Sequence, residues 1–410
     1  MSALPGSNIE AITQLPIIQR RWIERLLEII PGAMTWIFLL SPVILSIFQP
    51  VAVAYFIIAF DLVWLVKSLR LSFYLVRGYS QLHRYERIRW RERLDQLEDL
   101  KLAVQQCQQQ LERFVEDHPE ATRGWQGNRR GWAARRQYLD LSDRVIHLQS
   151  LVDRDKTIIR PSQLYNVVIL ATYNESIDII EPSVKALTEV DYPLSQLMLV
   201  IAYEERGGAE VARNAKELVR HYGQQFAYAV AIGHPDNLPG EVRGKGANIT
   251  YAARQLTKTL TEQKIDPENV IVTTFDADHR PSRNYFALLS YLYATNVNRV
   301  RKSYQPVPMF YNNIWDVPAP MRLIATGSSF WMIMESMRPQ RLRNFAAHAQ
   351  SLKALVDTDY WSVTSIVEDG HQYWRTYFTY DGDHEVVPLF TPVFQDAVLA
   401  KGYPRTFRVQ

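Results

Sequence analysis

The apolar and polar positions of the chain fall into three regimes. From Gly32 to Val66 the sequence is nearly free of polar residues, in two runs, Met34–Phe48 and Val51–Val66, parted by Gln49-Pro50, with Asp61 the only charge. Each run is short of the about 20 residues that one bilayer-spanning helix takes. With Pro31, Gly32 and the Leu69–Val76 stretch as flanks, they read as two tilted helices of a transmembrane hairpin over 31–79, after an N-terminal amphipathic segment, 1–30. A buried hairpin of a soluble domain is the alternative, and the scarcity of polar residues speaks against it. Arg20, Arg21 and Arg25 precede the hairpin, and Lys67, Arg70 and Arg77 follow it. Basic residues at both ends put both ends in the cytoplasm. No short apolar core with a small-residue cleavage site opens the chain, so a cleavable signal peptide is not expected.

Residues 80–160 form the second regime, charged and helical. From Arg84 to Glu116 the chain is charged and Gln-rich. Leu97, Leu100, Val104, Cys107, Leu111 and Phe114 alternate spacings of three and four, the stripe of a short coiled-coil-like helix with Cys107 as a small core residue. Arg123, Arg129, Arg130, Arg135 and Arg136, interleaved with Trp125, Trp132 and three glycines, read as a basic aromatic loop, solvated or resting on anionic headgroups. A second helix is expected from Arg135 to Asp155.

From Tyr165 the period switches to short β-branched runs alternating with amphipathic ones. Strands are expected at Tyr165–Ala171, Leu197–Ala202, Phe226–Ile232 and Val270–Phe275, and helices at Ile179–Val190, Ala209–Tyr222 and Ala247–Gln263. That alternation indicates βαβ units and an α/β fold with a mostly parallel sheet over 161–410. The polar loops after the strands should gather at one sheet edge, where such sheets hold ligands.

Composition adds little. The 410 residues allow two or more domains, and 46 Lys+Arg against 43 Asp+Glu leave +3, so bulk charge gives no reason to expect a nucleic-acid partner. The 10 Trp and 22 Tyr suit a membrane interface or sugar stacking. One cysteine excludes an intrachain disulfide and fits a reducing compartment.

Four strand-end loops carry chemistry. Thr172-Tyr173-Asn174-Glu175 offers an aromatic ring and a carboxylate for a nucleoside. Glu204, in Tyr203-Glu204-Glu205-Arg206, can accept the N3–H of uracil. Arg243-Gly244-Lys245-Gly246-Ala247-Asn248 opens a helix with cations and close-approach glycines suited to phosphates, without P-loop spacing. Asp276-Ala277-Asp278 ends an apolar strand with two carboxylates, which favour a divalent cation between them.

In this order and spacing these segments resemble the nucleotide-sugar-binding half of GT-A, family-2 glycosyltransferases of the membrane-anchored, polysaccharide-synthase type, over about residues 165–400. The resemblance implies a GT-A catalytic domain over 161–410 with a nucleotide-sugar half (161–280) and an acceptor half (281–410). Thr172, Tyr173, Glu175, Glu204, Arg243, Lys245 and Asp276 would contact the donor. Asp276 and Asp278 would hold Mg2+ or Mn2+. Gly327, Ser328, Ser329 and Trp331 would line the acceptor site. In Val367-Glu368-Asp369-Gly370, Asp369 would be the catalytic base and Glu368 its support; the bland alternative is an acidic helix start before His371–Phe378. The family usually has aspartate where Glu204 stands. His279 reads as structural rather than a ligand, and Met332, Met334 and Met337 as packing. Tyr304–Tyr311 is a Pro- and aromatic-rich linking stretch. Gln372-Tyr373-Trp374-Arg375-Thr376 has part of the family's Gln-x-x-Arg-Trp motif but lies too close to Asp369 and reads as a helix face. The chain stops at Gln410, about where that motif and further membrane helices are expected, as in a truncated protein or a shorter branch.

The expected activity is inverting, metal-dependent transfer from a nucleotide sugar, a UDP-sugar first, to a hydroxyl of a lipid-linked glycan, polysaccharide or lipid. The expected location is the cytoplasmic face of a bacterial inner or plasma membrane, with membrane lipids as partners. The rivals are a nucleotidyltransferase using the same loops and a GT-A-like scaffold without activity.

Overall fold

A computed structural model describes residues 22–122 and 129–399. The chain divides into two compact units at Tyr79/Ser80.

In the first unit the apolar runs extend further than their composition suggests. Helix α1, Trp22–Phe48, begins well before Met34 and runs through Pro31 and Pro42. Helix α2, Pro50–Glu86, carries on through Leu69–Val76 for 37 residues in all and passes into the second unit. Both helices are long and apolar enough to cross a membrane, and their apolar windows are almost wholly exposed, 0% and 6% buried.

The second unit opens with helices rather than one long stripe. After α2 come α3, Trp90–Asp95, and α4, Leu100–Asp117. The break has local causes. Trp90 Nε1 donates to the Tyr85 carbonyl, and the Asp99 carboxylate caps α4 by accepting from Leu102 N at 3.0 Å. Leu97 thus falls in the turn, while Leu100, Ala103 and Cys107 pack with Val145, Leu148 and Leu151 of α5, Arg129–Val152. Arg129, Arg130, Trp132, Arg135 and Arg136 therefore belong to a helix and not to a loop; Arg123 and Trp125 lie outside the described residues.

The α/β part follows the expected alternation: β1 Tyr165–Thr172, α6 Ile177–Thr188, β2 Leu197–Glu204, α7 Ala209–Tyr222, β3 Tyr228–His234, α8 Lys245–Glu262 and β4 Val270–Asp276. β1, β2 and β4 are buried along nearly their whole length, which is why they read as continuous apolar runs. Next come β5 Arg280–Pro281, the buried helix α9 Tyr285–Thr295, β6 Lys302–Phe310, α10 Ala319–Ser336, β7 Ala349–Ser351, α11 Leu352–Asp357, α12 Glu368–Thr379 and β8 Glu385–Gln395. Among the described residues the eight strands join one sheet, ordered β3-β2-β1-β4-β7-β6-β8-β5. Its first four strands are parallel, β7 runs antiparallel to both β4 and β6, and β8 lies parallel to β6. The chain is thus mixed α/β with a mostly parallel sheet.

The Pro-rich stretch expected as a connection is mostly β6. Pro306 and Pro308 lie inside that strand, and Pro388 and Pro392 inside its neighbour β8, with the register shift between Pro306 and Val307. One core fills each face of the sheet: Val168, Leu170, Leu199, Ile201 and α9 on one, Val167, Ile169, Val200, α8 and Trp361 on the other.

Candidate active site

Parallel register aligns the carboxyl ends of the strands. Ala171 lies opposite Asp276, Thr172 opposite Tyr203, and Glu204 opposite His234. The loops leaving those ends surround a cavity of about 510 Å³ whose lining includes Thr172, Tyr173, Glu175, Glu204, Lys245, Asp276 and Asp278. Seven of the residues expected at the site therefore meet in one cleft, at the N-terminus of α8.

Their partners sharpen what each can do. Glu175 Oε2 accepts from Thr172 Oγ1 and Tyr173 N, each at 2.7 Å, and from Asn174 N at 3.2 Å, so one of its oxygens braces its own turn. Glu204 is 5% exposed and ion-paired with Arg206, whose guanidinium also lies 4.1 Å from the centre of the Tyr173 ring. Asn248 Nδ2 donates to the Ala202 carbonyl at 2.8 Å and ties α8 to the end of β2. Gly246 sits so close to the Ser362 carbonyl that a Cβ there would come within 2.5 Å of its oxygen.

Lys245 is the centre of the charge arrangement. Its Nζ lies 2.6 Å from Asp276 Oδ1 and 3.4 Å from Glu368 Oε1. Burial works against the ammonium, but Asp276 and Glu368 outweigh it and raise its pKa. Asp276, although burial opposes its charge, is held down to about 2 by Lys245 and His279. Its carboxylate still opens into the cleft, 40% exposed. Burial raises Glu368 while Lys245 pulls the other way. Burial likewise raises Asp278, against the opposing pull of His279 and of the Asp396 N–H. His279 is a staple: its Nδ1 accepts from Asp276 N at 3.2 Å and its Nε2 lies 3.3 Å from Asp276 Oδ2.

Asp369 does not line the cavity. It follows Glu368 in the first turn of α12, where its Oδ1 accepts from Gly370 N at 2.6 Å; Glu368 does not line the cavity either, and is tied to it by its contact with Lys245. Arg243 belongs to an adjoining cavity of about 210 Å³ with Glu204, Arg206, His234 and Glu241, and its Nη2 donates to Asn237 Oδ1 at 2.7 Å. Gly327, Ser328, Ser329 and Trp331 all lie on α10, away from both cavities. Ser329 is built into the fold, with its Oγ accepting from Phe310 N at 3.2 Å, and Trp331 packs edge-on against Phe345. Gln372 Nε2 donates to Gln350 and Thr358, as a packing face of α12 does.

Among the described residues no three His, Cys, Asp or Glu side chains form a metal-binding group. Asp276 is engaged by Lys245 and His279. Asp278 Oδ2 accepts from Asp396 N at 2.6 Å, and Asp396 Oδ1 is buried with no hydrogen-bond partner. A partnerless buried carboxylate oxygen beside a second carboxylate suits a divalent cation that also takes oxygens from a ligand. Among the polar cleft residues, Asn313 and Asp396 lie outside the loops that the sequence pattern singled out, and Arg206, quoted there beside Glu204, was given no role.

No family model matches the chain, and no curated protein matches it. Among solved structures it is similar to the mannosyltransferase PcManGT from Pyrobaculum calidifontis in complex with GDP-Man and Mn2+, with 18% identity over 59% of this chain and 60% of that one and a TM-score of 0.41. It is also similar to S. aureus TarS 1-349 in complex with UDP-GlcNAc, at 14% identity over 58% and 60% of the two chains, TM-score 0.38. GalNAc-T7 with UDP, GalNAc and Mn2+ aligns at 9% identity over 57% and 44%, TM-score 0.36. The chain spans 60% or less of each of these chains.

Proposed function

We propose that the chain is an inverting, metal-dependent GT-A glycosyltransferase that moves a sugar from a nucleotide sugar, a UDP-sugar first, to a hydroxyl acceptor. One observation supports the reading: Lys245, which lines the cleft, lies within 3.4 Å of both Asp276 at the strand end and Glu368 at the start of α12, and so links the donor-side carboxylates to the helix that carries Asp369.

The division of labour follows from the residues. Tyr173, with Arg206 stacked on it, offers a platform for a base, and Thr172, Glu175 and Glu204 offer polar contacts to the nucleoside. Lys245 and the N-terminus of α8 draw the diphosphate. Asp278, with Asp276 beside it, would hold Mg2+ or Mn2+, which when bound supplies charge neutralisation for the departing diphosphate. The acceptor oxygen attacks the anomeric carbon as the bond from that carbon to the diphosphate oxygen breaks, and Asp369 takes the hydroxyl proton.

For the acceptor we infer a lipid-linked glycan, a polysaccharide or a lipid. The outer face of α10 supports an apolar or sugar-stacking surface, with Leu323 78%, Ile324 43%, Phe330 44% and Trp331 44% exposed at helical spacing. Phe345 packs against Trp331, and Arg343 stacks on Tyr373 and Trp374 of α12, so this aromatic face continues onto the helix that carries Asp369. We propose α1 and α2 as a transmembrane hairpin at a bacterial inner or plasma membrane, with the second unit cytoplasmic.

The test is incubation of the full chain with UDP-sugars and Mn2+. Release of UDP supports transfer. Release of pyrophosphate identifies a nucleotidyltransferase instead, and nucleotide binding with no product from any donor and acceptor pair identifies a binding scaffold.

A further inference from the structure

Helix α5 turns an apolar row to solvent. Its inner face packs Val145, Leu148 and Leu151 against α4 and the core. On the opposite side Trp132 is 61%, Leu139 45% and Ile146 64% exposed. These three recur at every seventh residue, almost two whole turns, so they form one row along the helix. The outer face of a surface helix is ordinarily polar, as Glu210, Arg213, Glu217 and Arg220 make that of α7. Two exposed charges flank the row on one side, Arg136 a turn before Leu139 and Asp143 a turn after it. Among the described residues neither makes an ion pair or a side-chain hydrogen bond, whereas nearby Asp140 is taken by Arg84 and Arg144 by Gln96.

We propose that this face is a self-association site: two copies of the chain pair through α5, antiparallel, about a twofold axis at Leu139. In that arrangement Leu139 meets Leu139, Trp132 meets Ile146, and Arg136 meets Asp143 on both sides of the axis. A parallel pair would instead oppose Arg136 to Arg136 and Asp143 to Asp143, which is unfavourable. An anionic lipid surface would accept the apolar row and Arg136 but repel Asp143. The charges thus select both the occupant and its direction. The row is short for a permanent interface, so the pairing is reversible and depends on concentration. It is independent of the glycosyltransferase reading of the cleft.

The experiment uses the full chain in detergent micelles, with mass read by sedimentation equilibrium and proximity by disulfide formation. Arg136→Asp and Asp143→Arg should each weaken the dimer about tenfold or more. The double variant Arg136→Asp/Asp143→Arg should regain most of that loss, which a fold defect would not do. Under oxidation, mixed Trp132→Cys and Ile146→Cys chains should link to each other in preference to themselves, and Leu139→Cys chains to one another. Gln137→Cys, exposed on nearly the opposite side of the helix from Leu139, should not link, and the buried Cys107 of the parent is a further control. A parent that is monomeric at every concentration overturns the proposal, as does a dimer that the charge reversals leave unchanged or that the double variant fails to recover. Protection of Leu139→Cys from a water-soluble maleimide only in lipid, with or without the charge reversals, would assign the row to the membrane instead.

Discussion

Lys245 Nζ lies 2.6 Å from Asp276 Oδ1, and this contact fixes the first turn of α8 to the end of β4. The same ammonium reaches Glu368, so one side chain balances two carboxylates from elements far apart in sequence. Lys245→Met leaves both uncompensated. The expected cost is about 1–3 kcal/mol of stability, below the full value for a buried pair because Asp276 is partly open to the cleft. Affinity for a nucleoside diphosphate should fall about tenfold or more, because the same ammonium draws the phosphates. Urea unfolding and calorimetric titration with UDP measure the two. UDP affinity within twofold of the parent would remove Lys245 from the diphosphate site.

Asp369 follows Glu368 at the start of α12, in the segment joined to the donor cleft through Lys245. Asp369→Asn keeps the shape and removes the proton acceptor. Turnover should drop ~10²–10⁴-fold while nucleotide-sugar binding is retained. Single-turnover kinetics beside equilibrium binding separates the two; unchanged turnover sinks the assignment of the base.

The legible and illegible parts of the chain differ for physical reasons. β1, β2 and β4 are buried along nearly their whole length, so their sequences are unbroken apolar runs whose ends could be read to within about two residues. Tyr173, Glu204, Lys245 and Asp276 follow from them, because parallel strands expose their carboxyl ends together. β6 and β8 were hidden by Pro306, Pro308, Pro388 and Pro392, which tell against a strand but are tolerated where these two strands pair through a register shift. Asp396 inherited that obscurity: a lone aspartate after a Pro-interrupted strand carries no signal until β5–β8 pairing brings it to Asp278. Arg206 stood in plain view two residues after Glu204, but its stacking on Tyr173 is a contact between loops of different strands. Ser328 and Ser329, expected with Gly327 to line an acceptor site, lie mid-helix in α10, with their hydroxyls donating to the Ile324 and Ala325 carbonyls.

The two glycines around Lys245 should respond oppositely to alanine. At Gly246 the added Cβ meets the Ser362 carbonyl oxygen at 2.5 Å and Glu368 Cβ at 3.1 Å, and the first of these is backbone. Gly246→Ala is expected to cost about 1–3 kcal/mol and to push away the segment leading to α12. At Gly244 nothing lies within 4 Å and the backbone is extended, so Gly244→Ala should leave unfolding within about 0.5 kcal/mol of the parent. Paired urea titrations decide; equal stability of the two variants would mean that α8 does not pack this closely on the Ser362 segment.

His384 gives the fold an acid sensitivity of its own. It is 4% exposed, its Nδ1 lies 2.8 Å from the Arg301 carbonyl oxygen, and burial lowers its pKa from 6.5 to about 4. Because the folded value lies below the unfolded one, the unfolded chain takes up the proton first as pH falls. The stabilisation is therefore complete above pH 6.5 and is lost progressively toward pH 4. At about pH 5 the loss from this group is on the order of 2 kcal/mol. His348, lowered to about 4 chiefly by burial, adds to the same window. His384→Asn can keep an N–H toward the Arg301 carbonyl but cannot titrate. Its urea midpoint should shift less between about pH 7.5 and about pH 5 than the parent's, whatever the absolute stability of the variant. Parallel pH dependences in the two proteins would show that His384 is already charged, or hydrated, in the folded state.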